Sequence, residues 1–168
     1  MSFAASLLSK AGAGAGDGKL TLFDNDVLKT ANIGRHLLGM NYIGENKADA
    51  VAHFLATNSL DLINIKTGKM FSINHCKELR DVDLIIDASG DETFSVVLSS
   101  TLHEMRRNKK KVPIIIHTWV DAEGSAIRML IDDGSGACYR CLKKQKPGAL
   151  KGDLEERFPL YSTPITHN

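Results

Sequence analysis

Apolar positions along the chain alternate between the spacing of helices and the spacing of strands. Apolar residues three, four and seven apart predict helices over residues 3–10, 45–57 and 91–108. Short apolar runs predict strands over residues 20–23, 60–65, 82–86, 112–120 and, as an edge strand, 126–131. A brief helix over residues 32–40 and a turn at Thr67 and Gly68 complete the pattern. This alternation predicts an α/β fold with a Rossmann-like, doubly wound and mostly parallel sheet.

The glycines of residues 11–18, with the sequence AGAGAGDG, invite comparison with a phosphate-binding loop. A dinucleotide-binding fingerprint follows a strand and opens a helix, whereas these glycines follow a helix and precede a strand. Their spacing also departs from that fingerprint, because Asp17 stands where Gly12 and Gly14 would require a third glycine. The context favours a helix C-cap that leads into a loop before the first strand.

Composition narrows the class of protein. The chain has 168 residues, of which 43% are hydrophobic and 24% charged, as expected for one soluble globular domain. A net charge of +1 gives no general attraction to nucleic acid or anionic membranes, and no apolar run reaches the length of a membrane span. No signal peptide is visible at the N-terminus, and the three cysteines do not form the pattern of a secreted disulfide framework. A cytoplasmic protein is therefore expected. The basic run 106–111 favours cations at a helix C-terminus over a nucleic-acid patch.

Charged side chains collect after the first predicted strand. Asp24 and Asp26 come where that strand releases the chain, and the carboxyl ends of parallel strands are where open α/β sheets bind ligands. Asn32, Arg35 and Lys47 follow. Carboxylates that accept ribose hydroxyls and cations that neutralise phosphates suit a nucleotide with its metal. The alternatives are a loop carboxylate that caps the next turn and cations that face solvent.

The order and spacing of these residues resemble a known family. Asp24-x-Asp26, Asn32-x-x-Arg35 and Gly44-x-x-Lys47 match the motif of the ThiF/MoeB/ubiquitin-activating-enzyme family. The stretches DVDLIIDASGD (81–91) and CYRCL (138–142) agree as well, so that the resemblance covers about residues 7–142.

The resemblance implies an activity and a division of the chain. Residues 1–142 would be a nucleotide-binding, adenylating domain, and residues 143–168 a polar C-terminal tail. Such domains use ATP and Mg²⁺ to adenylate the C-terminal glycine of a ubiquitin-like modifier or sulfur carrier protein, and they commonly form homodimers. Asp24 would hold the ribose, while Arg35 and Lys47 would hold the phosphates. Asn32 would support the loop or touch a phosphate, and Asp26 would orient Arg35 or face water.

The chain departs from the family pattern in its N-terminal part and at the metal site. Family members have a strand and a glycine loop before the first helix, but only 23 residues precede Asp24, so this strand and loop are expected to be absent. The family's metal-binding aspartate ends a D-x-x-D motif, whereas Gly90 occupies that position here and Asp91 follows it. Asp91 is therefore predicted to bind Mg²⁺, with capping of the next helix as its alternative.

The C-x-x-C motif of Cys138 and Cys141 has the spacing of half a zinc site. Family members supply a second C-x-x-C, but no cysteine follows Cys141, so zinc is expected to be absent or weakly held; a redox pair is a further option. These departures leave three hypotheses for the chain. They are an adenylating domain, a catalytically incomplete fragment or pseudoenzyme that acts as a binding or dimerisation module, and, least favoured, a nicotinamide-dependent oxidoreductase.

Overall fold

The computed structural model describes residues 1–59, 64–71, 79, 81–121 and 126–143. It divides into two compact units, Met1–Lys77 and Glu78–Asn168. None of the helices in these described ranges is long and apolar enough to cross a membrane.

The first unit pairs two parallel strands with two helices. Its elements are α1 (Ser2–Lys10), β1 (Leu20–Phe23), α2 (Lys47–Thr57) and β2 (Ile65–Gly68), with 3₁₀ turns at Thr30–Arg35 and Met40–Tyr42. Strand β1 pairs with β2 in parallel, with Leu20 opposite Ile65. Between β1 and α2 the chain is held by 3₁₀ turns and by a single antiparallel bridge from Val27 to Asn46.

The core of the first unit is built from one face of β1 and one face of α2. Leu20 and Leu22 are buried because alternate residues of a strand point to the same side. Ala48, Val51 and Leu55 are buried because positions three and seven apart share a helix face. Each buried leucine or valine contributes about 1.5–3 kcal/mol relative to exposure. The core therefore fixes the end of β1 against the start of α2.

The second unit is a three-stranded mixed sheet with helices. Its elements are β3 (Leu84–Asp87), α3 (Glu92–Arg107), β4 (Ile114–Asp121), β5 (Ala126–Asp132) and α4 (Tyr139–Lys143). The strand order is β3-β4-β5, with β3 and β4 parallel and β5 antiparallel to β4. Helix α3 buries Leu98, Leu102 and Met105 along the face that its periodicity predicted.

Arg106, the first cation of the basic run, has a structural role in the second unit. Its guanidinium Nη1 lies 2.5 Å from Oδ1 of Asp132, whose side chain is buried, and its Nη2 donates to the carbonyl of Pro113. The run therefore begins with an ion pair that ties the end of α3 to the end of β5, which favours the interpretation of a helix terminus over a nucleic-acid patch.

The α/β class and the parallel pairing are confirmed, and most helices lie where the periodicity placed them. The predicted helix over residues 32–40 is wrong, because two 3₁₀ turns occupy this region. The predicted turn at Thr67 and Gly68 is also wrong, since both residues belong to β2. Helix α4 was not predicted. Residues 60–63 of one predicted strand and residues 144–168 of the predicted tail lie outside the described residues.

The glycine-rich stretch is a helix C-terminus and loop, as predicted. The backbone N–H of Ala11 donates to the carbonyls of Leu7 and Leu8, which closes α1. Gly12 and Gly14 then take φ values of +98° and +88°, a region that residues with a side chain rarely adopt. The glycines thus serve the turn from α1 to β1.

Candidate functional site

Strand β1 of the first unit ends in a sharp turn made by Asp24. Its Oδ1 accepts a hydrogen bond of 2.9 Å from the backbone N–H of Asp26, a local bond that bends the chain out of the strand. Its other carboxylate oxygen has no hydrogen-bond partner in the part of the chain that the structure describes. Asp24 is therefore oriented by one oxygen while the other remains available to a ligand.

Asn46 joins this strand end to the start of α2. Its Oδ1 accepts from the backbone N–H groups of Ala48 (3.0 Å) and Asp49 (3.2 Å), which caps the helix. Its Nδ2 donates to the backbone carbonyls of Asp24 (2.8 Å) and Asp26 (3.3 Å). Asn46 was not among the residues predicted to form the site, although an asparagine directly before a predicted helix is a recognisable cap signal.

Lys47, the first residue of α2, pairs with Asp26. Its Nζ lies 2.7 Å from Oδ2 of Asp26, and its backbone N–H donates to the Asp26 carbonyl at 2.9 Å. The side-chain hydrogen bond from Lys47, together with its positive charge, holds the pKa of the Asp26 carboxyl below its ordinary value. Asp26 was expected either to orient Arg35 or to face water. Its side chain is 65% exposed, and its ion-pair partner among the described residues is Lys47 and not Arg35.

The 3₁₀ turn at Thr30–Arg35 carries the two other predicted residues. Oδ1 of Asn32 accepts from the backbone N–H of Lys29 at 3.0 Å, so Asn32 supports the loop. Arg35 is exposed and makes no ion pair with any described residue. The structure thus joins Asp24, Asp26 and Lys47 through direct contacts, whereas Arg35 lies outside this network of contacts among the described residues.

His36 lies within the electrostatic range of the same cluster. Burial, followed by the positive charge of Lys47, lowers the pKa of His36. Its Nδ1 accepts from the backbone N–H of Leu38 at 3.2 Å, so a neutral His36 carries its proton on Nε2. In its neutral form His36 therefore offers an N–H donor and adds no charge.

In the second unit, the loop after β3 is organised around the buried carboxylate of Asp87. Oδ2 accepts from the hydroxyl of Ser95 (2.5 Å) and lies 2.8 Å from Nδ1 of His117, while Oδ1 accepts from the backbone N–H and hydroxyl of Ser89. Burial alone would raise the pKa of Asp87, but these bonds, led by that of His117, outweigh burial and lower it to about 2. Asp87 is therefore ionised and fully occupied by the protein.

Asp91 caps helix α3. Its Oδ1 accepts from the backbone N–H of Phe94 at 3.0 Å, and Gly90 before it adopts a φ of +69°. The loop thus accommodates the additional residue through the left-handed conformation of Gly90. The cap was the alternative expectation for Asp91, and its role as a magnesium ligand stays a prediction. An exposed carboxylate with one oxygen not used by the cap fits an ion that keeps most of its waters.

His117 and Tyr139 form the aromatic part of the same core. His117 is 1% exposed, and its Nε2 has no partner within the described residues. Its ring centroid lies 4.7 Å from that of Tyr139, which also contacts Trp119 at 5.5 Å. The cluster packs α4 against strand β4.

Cys138 and Cys141 lie next to each other at the start of α4, with their sulfur atoms 3.4 Å apart. Burial would raise the pKa of Cys138, but hydrogen bonds from the Ser99 hydroxyl and from the backbone and thiol of Cys141 outweigh it and lower this pKa. The two thiols have the spacing of half a zinc site. No group of three or more metal-binding side chains occurs in the described ranges, so this half-site is not completed there.

Comparison with known proteins identifies the family of the chain. The family model described as "ThiF family" matches residues 2–159. An "ATP-dependent ubiquitin transferase-like protein Cap2" of Escherichia coli (strain TW11681) is 34% identical over 93% of this chain and 26% of its own length. An "Adenylyltransferase and sulfurtransferase MOCS3" of Culex quinquefasciatus is 26% identical over 80% of this chain and 30% of its own length.

A solved structure supports the fold. The crystal structure of PaaA aligns with a TM-score of 0.61 at 19% identity, over 99% of this chain and 52% of that one. The chain spans about a quarter to a third of the length of the curated relatives that it matches. Because the family model covers nearly the whole chain, and because the Asp24, Lys47 and C-x-x-C motifs fall inside the match, the chain belongs to the ThiF family.

Proposed function

We propose that this chain is the nucleotide-binding part of an adenylating protein, which uses ATP to activate the C-terminal glycine of a ubiquitin-like modifier or sulfur carrier protein. The names of its relatives support this class of reaction, since one is an ATP-dependent ubiquitin transferase-like protein and another an adenylyltransferase. The proposal includes the homodimer common in the family and a cytoplasmic site of action, where ATP is available.

The observation that carries the proposal is the cluster at the end of β1. One carboxylate oxygen of Asp24 has no partner among the described residues and can accept a ribose hydroxyl. Lys47 pairs with Asp26, and the hydrogen bonds from Asn46 to the carbonyls of Asp24 and Asp26 hold the strand end at the start of α2. The ammonium of Lys47 is therefore positioned before a ligand arrives. Preorganised charge of this kind is what stabilises a triphosphate and a departing pyrophosphate.

The residues have separate roles in the reaction. The modifier's carboxylate attacks the α-phosphate of ATP, and pyrophosphate leaves with the negative charge. Lys47 and the exposed Arg35 neutralise that charge, the first as a point charge and the second through its planar fork. Mg²⁺ would supply charge neutralisation, and Asp91 of the second unit is the residue proposed to hold it, through water and the oxygen that the helix cap does not use.

One observation favours a second candidate, a binding module without catalysis. Gly90 stands where the family motif has its metal-binding aspartate, and one oxygen of Asp91 is already used by the helix cap. A chain with this loop could keep a nucleotide or protein partner bound and still fail to hold the metal.

Exchange of labelled pyrophosphate into ATP, in the presence of a panel of ubiquitin-like and sulfur carrier proteins, tests the proposal. We expect exchange that depends on the carrier protein and that falls at least ~10-fold in K47A and in R35A, since each removes a charge-assisted contact. K10A is the matched control, because Lys10 is an exposed lysine in the last turn of α1. ATP binding without exchange would support the binding module. The absence of ATP binding would overturn the adenylation proposal and leave only a module that binds a protein partner.

A further inference from the structure

We propose that His117 is a positioning residue for the loop after β3: through a relay of hydrogen bonds it holds Asp91 in the conformation that can take up a divalent cation. The relay runs from His117 to Asp87, from Asp87 to Ser89, and from Ser89 to the backbone of Asp91. The inference rests on the proposed function in one respect, the role of Asp91 toward Mg²⁺.

The first link of the relay is fixed by the register of two strands. Asp87 and His117 are paired residues of the parallel strands β3 and β4. Nδ1 of His117 lies 2.8 Å from Oδ2 of Asp87, and the two side chains are 1% and 2% exposed. Because Asp87 is ionised, Nδ1 carries the proton and donates. A bond of this kind is shielded from water, so it orients the carboxylate firmly.

The second link joins the buried carboxylate to the loop. Oδ2 of Asp87 is occupied by His117 and by the hydroxyl of Ser95 at 2.5 Å. Oδ1 therefore serves the loop, and it accepts from the backbone N–H of Ser89 at 3.1 Å and from its hydroxyl at 2.7 Å. Both the main chain and the side chain of Ser89 are thus fixed to Asp87.

The third link reaches Asp91. The Ser89 hydroxyl gives its single proton to Asp87, so its oxygen can only accept a further bond, and it does so from the backbone N–H of Asp91 at 3.2 Å. Asp91 in turn caps α3 through Oδ1. Its backbone is therefore held by Ser89 while one carboxylate oxygen stays outside the cap.

The alternative for a buried histidine is core packing alone. His117 does pack on Tyr139, with 4.7 Å between the ring centroids, but packing needs the shape of the ring and not its donor. Among the described residues the imidazole bonds to Asp87 alone, since Nε2 has no partner there. The two roles predict different results for asparagine, which keeps a donor near the place of Nδ1, and for leucine, which fills space without one.

The test follows the binding of Mn²⁺, used in place of Mg²⁺, to the full chain in the presence of ATP. Relaxation of water protons rises when the ion is held on the slowly tumbling protein, and Mn²⁺ with ATP alone is the baseline. Ser89→Ala removes the middle link at an exposed position, and we expect the affinity for Mn²⁺ to fall about 10-fold. Ser89→Thr keeps the hydroxyl and should keep most of the affinity.

Ser135→Ala is the matched control for Ser89→Ala. Ser135 is exposed in the loop after β5, and its backbone N–H and hydroxyl bond to Oδ1 of Asp133 at 2.8 and 2.7 Å. This is the same pair of bonds that Ser89 makes to Asp87, in a loop without Asp91. Ser135→Ala should bind Mn²⁺ as the wild type does.

Two substitutions of His117 test the first link. His117→Leu should lose affinity for Mn²⁺ as Ser89→Ala does, and His117→Asn should recover part of it. Hydrogen exchange without any ion should show that the Asp91 amide loses protection in His117→Leu and regains it in His117→Asn. Leu102→Val shortens a buried side chain of α3, so it lowers the melting temperature outside the relay and should leave the affinity unchanged.

Three results would overturn the inference. The first is a Ser89→Ala chain that binds Mn²⁺ as the wild type does while Asp91→Asn binds it more weakly, because Asp91 would then act without the relay. The second is an equal loss of affinity in Ser135→Ala or Leu102→Val, which would make the effect one of general stability. If His117→Leu does not fold, the Ser89 variants decide the result.

The third result is an affinity for Mn²⁺ that Asp91→Asn leaves unchanged. It would remove the role of Asp91 on which the inference rests. The first two results leave the proposed adenylation standing, and exchange of pyrophosphate measures that activity separately.

Discussion

The carboxylate of Asp24 is oriented by a hydrogen bond from the nearby backbone. Its Oδ1 accepts the backbone N–H of Asp26, and its second carboxylate oxygen has no hydrogen-bond partner among the described residues. We predict that Asp24→Asn weakens ATP binding at least ~10-fold, the effect of replacing a charge-assisted hydrogen bond by a neutral one. Isothermal titration calorimetry with ATP measures the dissociation constant.

Asp17→Asn is the control for this substitution, since it removes the same charge from an exposed position in the loop before β1. ATP binding that weakens equally in both variants would show that Asp24 acts through overall charge. Unchanged binding in Asp24→Asn would remove the ribose-binding role from this residue.

Asp87 makes the stability of the second unit depend on pH in the acidic range. Its pKa in the folded chain is about 2, below the 3.8 of an ordinary aspartate, so the folded state favours the ionised form. Its contribution to stability is therefore fully present above pH 3.8 and is lost as the pH falls toward 2, and it amounts to about 2 kcal/mol. We predict that Asp87→Asn lowers the stability at neutral pH and flattens the fall in melting temperature over this pH range.

The measurement is thermal unfolding followed by Trp119 fluorescence between about pH 2 and 6. Asp83→Asn is the matched control, because the Asp83 side chain is 95% exposed on the approach to the same strand. If Asp87→Asn and the wild type show the same slope of melting temperature against pH, the hydrogen bonds of Ser89, Ser95 and His117 do not act as argued.

At the scale of elements, the side chain of Asn46 links β1 to α2 through both its oxygen and its nitrogen. Asn46→Ala removes the cap of α2 and the two bonds to the carbonyls of Asp24 and Asp26, whereas Asn46→Asp keeps a capping oxygen and removes only the donor. We predict a loss of about 1–2 kcal/mol in Asn46→Ala and a smaller loss in Asn46→Asp.

Hydrogen exchange of the first turn of α2 separates the two functions of Asn46. Protection of these amides should fall in Asn46→Ala and remain in Asn46→Asp, while ATP binding weakens in both because the strand end is released. Weaker binding in Asn46→Ala alone would mean that the helix cap, and not the donor, positions Asp24 and Lys47.

Local chemistry made part of this architecture predictable from the sequence. The apolar spacing of α3 and the context of the glycine loop are local signals, and both were interpreted correctly. The segment between β1 and α2 was predicted wrongly, because its 3₁₀ turns depend on contacts between residues distant in the chain. One of them is the hydrogen bond from the Leu28 N–H to the Glu45 carbonyl. The motif spacing indicated Asp24 and Lys47, but the partner of Lys47 depends on how α2 approaches the strand end, which spacing does not encode.

At the scale of the whole chain, one sheet face of the second unit is apolar and open. Val120, Ile127 and Met129 are 62%, 82% and 63% exposed, and they share a face because Val120 pairs with Ile127 and Met129 lies two residues further along β5. Strand β5 is also an edge of the described sheet. Apolar patches and open strand edges both promote association between chains.

We therefore predict that the chain self-associates with increasing concentration, and that the double substitution Ile127→Lys with Met129→Lys shifts it toward the monomer. Two added charges on an edge strand make stacking of this face unfavourable, because each would have to be desolvated. Light scattering coupled to size-exclusion chromatography measures the mass across concentrations. Val97→Lys is the control, since Val97 is a partly exposed apolar residue of helix α3. A wild type that stays monomeric at every concentration, or a double variant that associates as the wild type does, would show that this face does not drive association.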